Sequence, residues 1–400
     1  MRVIVVLKYI PTRGEDQKSD MLWSVVDGLC ATGYDVALAT QGRAEATDLP
    51  RVPLGRPSVF GQVYRAIRAL ASSLGWGQGV SAIRGHELRG AVHKWVRQHG
   101  EIDVVIALCT ANHPATIGHE VAKALGAPLV IREHKAYERS VHCTTDPPQD
   151  YLRALRGADL VAAVSPFLAD MMKGIGIRGD IDVIPNALSD EFFTPPQTLT
   201  GALHAYREWA GSAYVFGGWT RWREIKRVDL LLEAFAEVHA RNPNTRLFIA
   251  GPIEPETNAD WASQFITDKG LEDAVWLFGS ANRDQIHQIA YNIDCAVVPS
   301  DYETFGLPAL EALAAGKPVV TTRCNGPEWL VRDDRFGRCI DRGSSTALAE
   351  AMIDVYESRD EFDSDLIRSE TWNNFSRTTI SRQWSDAIHK VVYENRDGNV

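Results

Sequence analysis

The chain has 400 residues, of which 45% are hydrophobic and 24% are charged, and its formal net charge is −10. This composition is that of a globular protein, and a chain of this length exceeds what one compact core usually holds, so we expect two domains. The negative net charge disfavours a general nucleic-acid binder, because contacts to phosphates need clustered lysines and arginines.

The cysteine pattern and the lengths of the apolar runs indicate the cellular compartment of the protein. The six cysteines contain no C-x-x-C pair, which predicts free thiols in a reducing compartment rather than a disulfide framework or a zinc site. The apolar run at Met1–Lys8 is too short for a signal peptide and fits a buried strand, and no run approaches the roughly 18 apolar residues of a membrane span. We therefore expect a cytoplasmic protein.

Apolar runs alternate with helical patterns through the first half of the chain. An amphipathic helix is expected from about Lys18 to Ala31. The expected strands are Val3–Leu7, Asp35–Ala39, Ile102–Leu108, Pro128–Ile131, Leu160–Val164 and Ile181–Ile184. This alternation predicts a doubly wound parallel sheet, whose ligands bind at the carboxyl ends of the strands. His134 follows one of these strands at that end, where it could donate a hydrogen bond to a ligand or simply be a structural residue.

Residues 51–99 are unusual in charge. They contain eight lysines or arginines against one acid, Glu87, and apolar side chains recur at helical spacing from Val59 to Leu74. One interpretation is a basic amphipathic helix that rests on an anionic membrane surface. The other is an ordinary helix with its apolar face in the core and its arginines in water. Equal recovery with anionic and neutral liposomes would exclude the membrane interpretation.

The second half repeats the alternation after a segment rich in turn formers, Thr194–Thr200, which predicts a domain boundary near residues 188–212. The expected strands are Tyr214–Phe216, Arg246–Ala250, Val275–Phe278, Asp294–Pro299, Pro318–Thr322 and Gly337–Ile340. A terminal helix is expected from Phe375 to Tyr393. This half therefore predicts a second parallel sheet with helices between its strands.

Two carboxylates lie in the βαβ unit around residues 295–322. Gly306 permits a tight turn, Pro308 suits the first turn of a helix, and Gly316 closes it. The helix start would favour a phosphate, and Glu303 and Glu311 would repel one. The carboxylates could instead accept hydrogen bonds from vicinal hydroxyls, so the pattern favours a nucleotide sugar. The alternative is that Glu311 complements the helix dipole and Glu303 is a solvated loop residue.

The stretch Glu303–Val320, E-T-F-G-L-P-A-L-E-A-L-A-A-G-K-P-V-V, resembles the donor-site signature of retaining glycosyltransferases of family 4. The resemblance implies the GT-B fold, an α/β architecture of two doubly wound, Rossmann-like domains facing across a cleft. Residues 1–190 would form the acceptor-side domain, completed by a C-terminal helix at 375–395. Residues 191–212 would be the linker, and residues 213–374 would bind the nucleotide sugar.

The resemblance also implies roles for individual residues. Arg221 and Lys226 match two cations that the family sets against the donor diphosphate, although Thr220 and Arg227 stand where glycines are frequent. Glu303 would orient the sugar hydroxyls. The implied donor-binding residues are Arg221, Lys226, Thr304, Phe305, Gly306, Leu307 and Glu311, with Glu311 on the ribose.

Two further residues come from the first half. His134 matches a histidine that family members commonly carry close to the reacting sugar, so Glu303, His134, Arg221 and Lys226 form the predicted catalytic set. The loop after the first strand, usually rich in glycine and in contact with donor and acceptor, has only Gly14.

The implied activity is transfer of a hexose-type sugar, with retention, from a nucleotide-diphosphate sugar to a hydroxyl of a sugar, lipid-linked or small-molecule acceptor. No cofactor or metal is expected, because cations would neutralise the diphosphate, and the D-x-D at Asp180–Asp182 precedes a strand. Two alternatives remain open. One is a GT-B epimerase or phosphorylase, and the other is a non-catalytic protein of the membrane surface, bound through residues 51–99 at its inner face.

Overall fold

The computed structural model describes residues 1–7, 17–40, 47–53, 92–109, 112–135, 147–253 and 260–394. They fall into two compact units. The first draws its residues from Met1–Thr12, Val25–Ile184 and Ser381–Val400, and the second from Arg13–Ser24 and Pro185–Ile380.

The first unit is built on a seven-stranded parallel sheet in which the strand order is β3-β2-β1-β4-β5-β6-β7. Its strands are β1 (Arg2–Val6), β2 (Asp35–Thr40), β3 (Arg51–Pro53), β4 (Val104–Cys109), β5 (Leu129–Glu133), β6 (Leu160–Ala163) and β7 (Ile181–Val183). Strands β4, β5 and β6 are buried along their whole length. The apolar sequences of β4 and β6 thus follow from burial on both faces, whereas β5 ends in two buried charged residues, Arg132 and Glu133.

The second unit has a six-stranded parallel sheet in the order β10-β9-β8-β11-β12-β13. The strands are β8 (Tyr214–Trp219), β9 (Thr245–Ala250), β10 (Val275–Gly279), β11 (Cys295–Val298), β12 (Val319–Thr322) and β13 (Gly337–Ile340). The predicted class, two doubly wound parallel-sheet domains, is confirmed.

Helices follow most of the strands, as parallel connections require. In chain order they are α1 (Gln17–Ala31), α2 (residues 92–99), α3 (Asn112–Leu125), α4 (Gln149–Arg156), α5 (Pro166–Gly174), α6 (Tyr206–Ala210), α7 (Val228–Arg241), α8 (Asp260–Asp268), α9 (Arg283–Asn292), α10 (Leu307–Ala314), α11 (Gly326–Leu330), α12 (Ser345–Glu357), α13 (Ser364–Phe375) and α14 (Arg377–His389). Within the described ranges, none of them combines the length and hydropathy needed to cross a bilayer.

In each sheet the strand order reverses once, between β1 and β4 and between β8 and β11. Adjacent connections leave in opposite directions at such a point, which opens a crevice at the carboxyl ends of the strands. The loops after β8 and β11 therefore border a crevice of the second unit. These loops contain Lys226 and Glu303.

Only the two ends of the basic segment 51–99 are described. Arg51–Pro53 forms β3, a short strand that the sequence did not predict, and residues 92–99 form α2. Val92 is 0% exposed and Trp95 is 5% exposed, so α2 turns its apolar face to the core, as in the ordinary-helix interpretation. The run Val59–Leu74 lies outside the described residues, and the membrane interpretation stays a prediction.

Candidate functional site

A pocket opens at the carboxyl ends of β8 and β11. Its wall combines the end of β8, the end of β11, the loop after β11 and the start of α10. The lining residues are Gly218, Trp219, Thr220, Lys226, Val228, Leu231, Ile249, Val297, Val298, Pro299, Ser300, Glu303 and Pro308. The pocket therefore lies at the crevice that the sheet topology creates.

Lys226 and Glu303 meet in this pocket. Lys226 Nζ donates to Glu303 Oε1 over 2.5 Å, and the two side chains are only 16% and 15% exposed. Ser300 Oγ donates to the same oxygen at 3.3 Å. The sequence predicted both residues, with Lys226 facing a diphosphate and Glu303 facing sugar hydroxyls, and the structure places them in direct contact.

The loop that carries Glu303 is held by its backbone. Glu303 N–H donates to Cys324 O at 2.8 Å, and Gly326 N–H donates to Glu303 O at 3.0 Å. A Cβ on Gly326 would lie 2.5 Å from the Cα of Phe305, so only glycine fits there. Phe305 is 3% exposed, which makes it a packing residue that fixes the loop.

The start of α10 borders the pocket through Pro308. Gly306 is its N-cap with φ of 93°, followed by Leu307 and Pro308 in the first turn. The N–H groups of a first helical turn have no intrahelical acceptor, and the helix dipole is positive there. Thr304 lies in the preceding loop. A phosphate at this point would be stabilised by the helix start and by Lys226.

Glu311 does not line the pocket. Its side chain is 0% exposed, Oε1 accepts from Arg283 Nη1, and Oε2 accepts from Trp219 Nε1 at 2.5 Å. The Arg283 guanidinium also stacks on Phe192, with Cζ 4.6 Å from the ring centroid. Contact with a ribose stays a prediction for Glu311. Arg283 was not found from the sequence, because a buried arginine has the same local signature as an exposed one.

Arg221 and Arg227 differ in their surroundings. Arg221 is exposed and is not among the pocket-lining residues. Arg227 has φ of 50° and stands at the glycine-preferring position noted in the sequence. Its guanidinium pairs with Asp229 at 2.9 Å and with Asp301 at 3.4 Å, so two ion pairs offset the cost of the left-handed backbone.

In the first unit, His134 follows β5 as predicted. Arg132 Nη1 donates to His134 Nε2 at 3.0 Å, and the partial burial of the ring and the Arg132 charge hold the pKa of His134 well below its usual range. Glu133, which is 0% exposed, accepts from the backbone N–H of His134 and Lys135. Burial raises the pKa of Glu133 to about 7. Gly14 lies outside the described residues.

The metal question concerns the D-x-D stretch. Asp182 lies within β7, and in the described ranges no group of three or more His, Cys, Asp or Glu side chains is placed to hold a metal ion. Metal-independent activity stays a prediction.

Two protein-family models match the chain. The model "Glycosyl transferases group 1" matches residues 211–371, and "Glycosyltransferase Family 4" matches residues 21–192. The lipopolysaccharide core biosynthesis glycosyltransferase LpsE of Rhizobium meliloti is 29% identical over 204 residues, which are 51% of this chain and 56% of the relative. A D-inositol 3-phosphate glycosyltransferase of Stackebrandtia nassauensis is 28% identical over 250 residues, covering 58% and 55%. The alignments thus span little more than half of these relatives.

Solved structures share the whole fold. HepE of Anabaena in complex with UDP and glucose has a TM-score of 0.70 at 19% identity and covers 98% of this chain and 100% of its own. Sucrose-phosphate synthase of Thermosynechococcus elongatus has a TM-score of 0.72 at 15% identity and covers 98% of both chains. The two family models match successive parts of the chain, and the solved structures share both sheets, so the chain belongs to the family 4 glycosyltransferases and has the GT-B fold.

Proposed function

We propose that this glycosyltransferase moves a hexose from a nucleotide-diphosphate sugar to an acceptor hydroxyl with retention of the anomeric configuration and without a metal. The observation that carries the proposal is the Lys226–Glu303 pair beside the start of α10. A cation and a helix start suit a diphosphate, and a carboxylate suits sugar hydroxyls. The pocket offers both within one site.

In the reaction, the bond between the anomeric carbon and the phosphate oxygen breaks, and a bond to the acceptor oxygen forms on the same face. Lys226 and the N–H groups at the start of α10 stabilise the negative charge that grows on the departing diphosphate. Glu303 orients the sugar hydroxyls and stabilises positive charge at the anomeric carbon. The acceptor proton passes to the leaving phosphate oxygen, so no protein nucleophile is needed.

Two features support the choice of donor and the absence of a metal. HepE, which shares the fold, was solved with UDP and with UDP-glucose, so UDP sugars are the first donors to test. The pocket has a lysine and a helix start where other transferases use a metal ion to neutralise phosphate charge. The acceptor is a sugar, a lipid-linked sugar or a small molecule with a free hydroxyl.

The test separates donor binding from transfer. UDP, GDP, ADP, CDP and dTDP are titrated by calorimetry without metal, and transfer is measured with the sugar of the base that binds. Lys226→Met should weaken nucleotide binding. Glu303→Gln should keep nucleotide binding within a few-fold and lower kcat by about 10²–10⁴-fold, the range of a positioned charge at a reacting centre.

The matched control is Glu370→Gln, because Glu370 also pairs with a cation but is 39% exposed on the surface. This variant should leave both binding and kcat unchanged. An unchanged kcat in Glu303→Gln would remove Glu303 from the mechanism. Product analysis by NMR reports the anomeric configuration and would detect epimerase or phosphorylase products. If excess chelator abolishes activity and added Mg²⁺ restores it, the metal-free mechanism is wrong.

A further inference from the structure

Arg132 is a wholly buried arginine at the end of β5, with 0% of its surface exposed. Its Nε donates to the backbone oxygen of Ile184 at 2.9 Å, and its Cζ lies 5.9 Å from the centroid of the Trp384 ring. Residues two apart on a strand share a face, so the guanidinium also reaches the next residue on that face, His134. Nη1 lies 3.0 Å from His134 Nε2.

The chemistry of this contact decides which ring nitrogen carries the proton. A guanidinium has donors and no acceptor, so Nε2 must be the acceptor and must be unprotonated. Burial lowers the pKa of Arg132 to about 9, and the side chain therefore remains charged at neutral pH. A neutral imidazole with a bare Nε2 carries its proton on Nδ1.

The backbone of His134 is fixed as well. Its N–H faces two acceptors, Cys109 O at 3.1 Å and Glu133 Oε1 at 2.8 Å. Arg132 is the charged group that acts on the ring. The neighbouring Glu133 accepts from the backbone N–H groups of His134 and Lys135 and from the Tyr151 hydroxyl of α4. Among the described residues, His134 Nδ1 has no protein partner, and the residue is partly exposed.

We propose that Arg132 is a positioning residue that holds His134 as the neutral Nδ1–H tautomer, so that Nδ1 can donate a hydrogen bond to an oxygen of a substrate bound at the carboxyl end of β5. The role of the donor rests on the proposed function, but the tautomer does not. With the opposite tautomer, Nδ1 would be an acceptor and would repel a phosphate or carbonyl oxygen. Arg132 would therefore determine whether His134 Nδ1 donates or accepts a hydrogen bond.

The first test needs no activity. Long-range ¹H–¹⁵N spectra of the full-length protein with ¹⁵N-labelled histidine report which ring nitrogen is protonated, and His134→Gln identifies the signal. We expect Nδ1–H in the wild type and in Arg132→Lys, which keeps a cationic donor. In Arg132→Met we expect the ring to titrate at a higher pH, nearer the usual value of a histidine. A wild-type ring protonated at Nε2 at neutral pH would overturn the proposal.

The second test uses kinetics. Arg132→Met should lower kcat by about tenfold to a hundredfold, the scale of a misplaced reacting group. It should change the KM of the donor by less than about threefold. The acidic limb of the pH profile of kcat should move to higher pH. Arg132→Lys should restore most of the rate. In a His134→Ala background, Arg132→Met should lower kcat no further, because the two residues act as one unit; an additional full loss would show a merely structural role.

The two tests separate the possible failures. An Nδ1–H ring in a protein without transferase activity would support the tautomer assignment and count against the proposed function. If Arg132→Met does not fold, Arg132→Gln takes its place in the spectra, because it also removes the positive charge, and Arg132→Lys remains the conservative control. An unchanged ring pKa in folded Arg132→Gln would overturn the proposal.

Discussion

Replacing Arg283 by methionine would leave the buried carboxylate of Glu311 without its ion-pair partner. Glu311 is 0% exposed and Arg283 is 9% exposed, so little water could enter to solvate the remaining charge. Removing one partner of a buried pair costs about 3–5 kcal/mol of unfolding free energy. For a unit of this size, that corresponds to a fall in Tm of about 6–20 °C.

The structure supplies a matched control in Arg332. Arg332 pairs with Glu370 at 2.6 Å, and its Cζ lies 4.7 Å from the Phe336 ring, much as Arg283 stacks on Phe192 at 4.6 Å. The difference is burial, because Arg332 and Glu370 are 38% and 39% exposed. Arg332→Met should therefore cost no more than about 1 kcal/mol.

The assay is urea unfolding followed by tryptophan fluorescence, with midpoints compared at a common slope. Arg283→Met should lose far more stability than Arg332→Met, and the double change Arg283→Met with Glu311→Leu should recover much of the loss, because an apolar pair can replace a buried ionic one. Equal losses in the two single variants would refute the reasoning that burial sets the cost.

Three further predictions concern single residues. Burial raises the pKa of Glu133 from 4.5 to about 7. The contribution of protonated Glu133 to the stability of the folded state is therefore fully present below about pH 4.5 and is lost as the pH rises to about 7. The free energy of unfolding of the wild type should thus fall by about 3 kcal/mol relative to Glu133→Gln across that window. If urea titrations give the two proteins the same pH dependence of unfolding free energy, this expectation is wrong. Arg227→Gly should keep the free energy of unfolding within about 0.5 kcal/mol of the wild type, whereas Arg227→Val should lower it by about 1–2 kcal/mol. Calorimetry that finds the glycine variant less stable than the valine variant would contradict this. Gly326→Ala should lower Tm and transfer rate together, because its Cβ meets the Phe305 backbone, whereas Gly174→Ala has no atom within 4 Å to meet.

The fold was accessible from the sequence where strands are long and buried on both faces. The runs at β4 and β11 contain little but apolar residues, and this pattern fixes both their type and their place in a parallel sheet. Strand β3 was missed because it has three residues and ends in Pro53, so no periodicity could appear. Edge strands of this kind form because a neighbouring strand offers hydrogen bonds, which a local pattern does not record.

The site was accessible only in part. Residue types and loop positions predicted Glu303 and the helix start, and the family resemblance implied Lys226. Their mutual contact joins positions 77 apart in the chain and depends on how two loops meet. Trp219 and Arg283 carry no signal, because their roles depend on reaching Glu311 inside the second unit. Whether a charged side chain is buried is a tertiary property.

If the pocket binds a sugar nucleotide as proposed, the contact between Lys226 and Glu303 favours a ligand that carries an anion and hydroxyls in one molecule. A free phosphate that pulls Lys226 away leaves Glu303 without its ion-pair partner at 15% exposure. A free sugar that engages Glu303 likewise leaves Lys226 without its ion-pair partner. Either separation costs free energy, since a mostly buried charge loses its compensating opposite charge. A molecule that brings an anion and hydroxyls together compensates both charges at once. Abundant phosphates and sugars would each compete poorly, and the site would respond to their covalent combination.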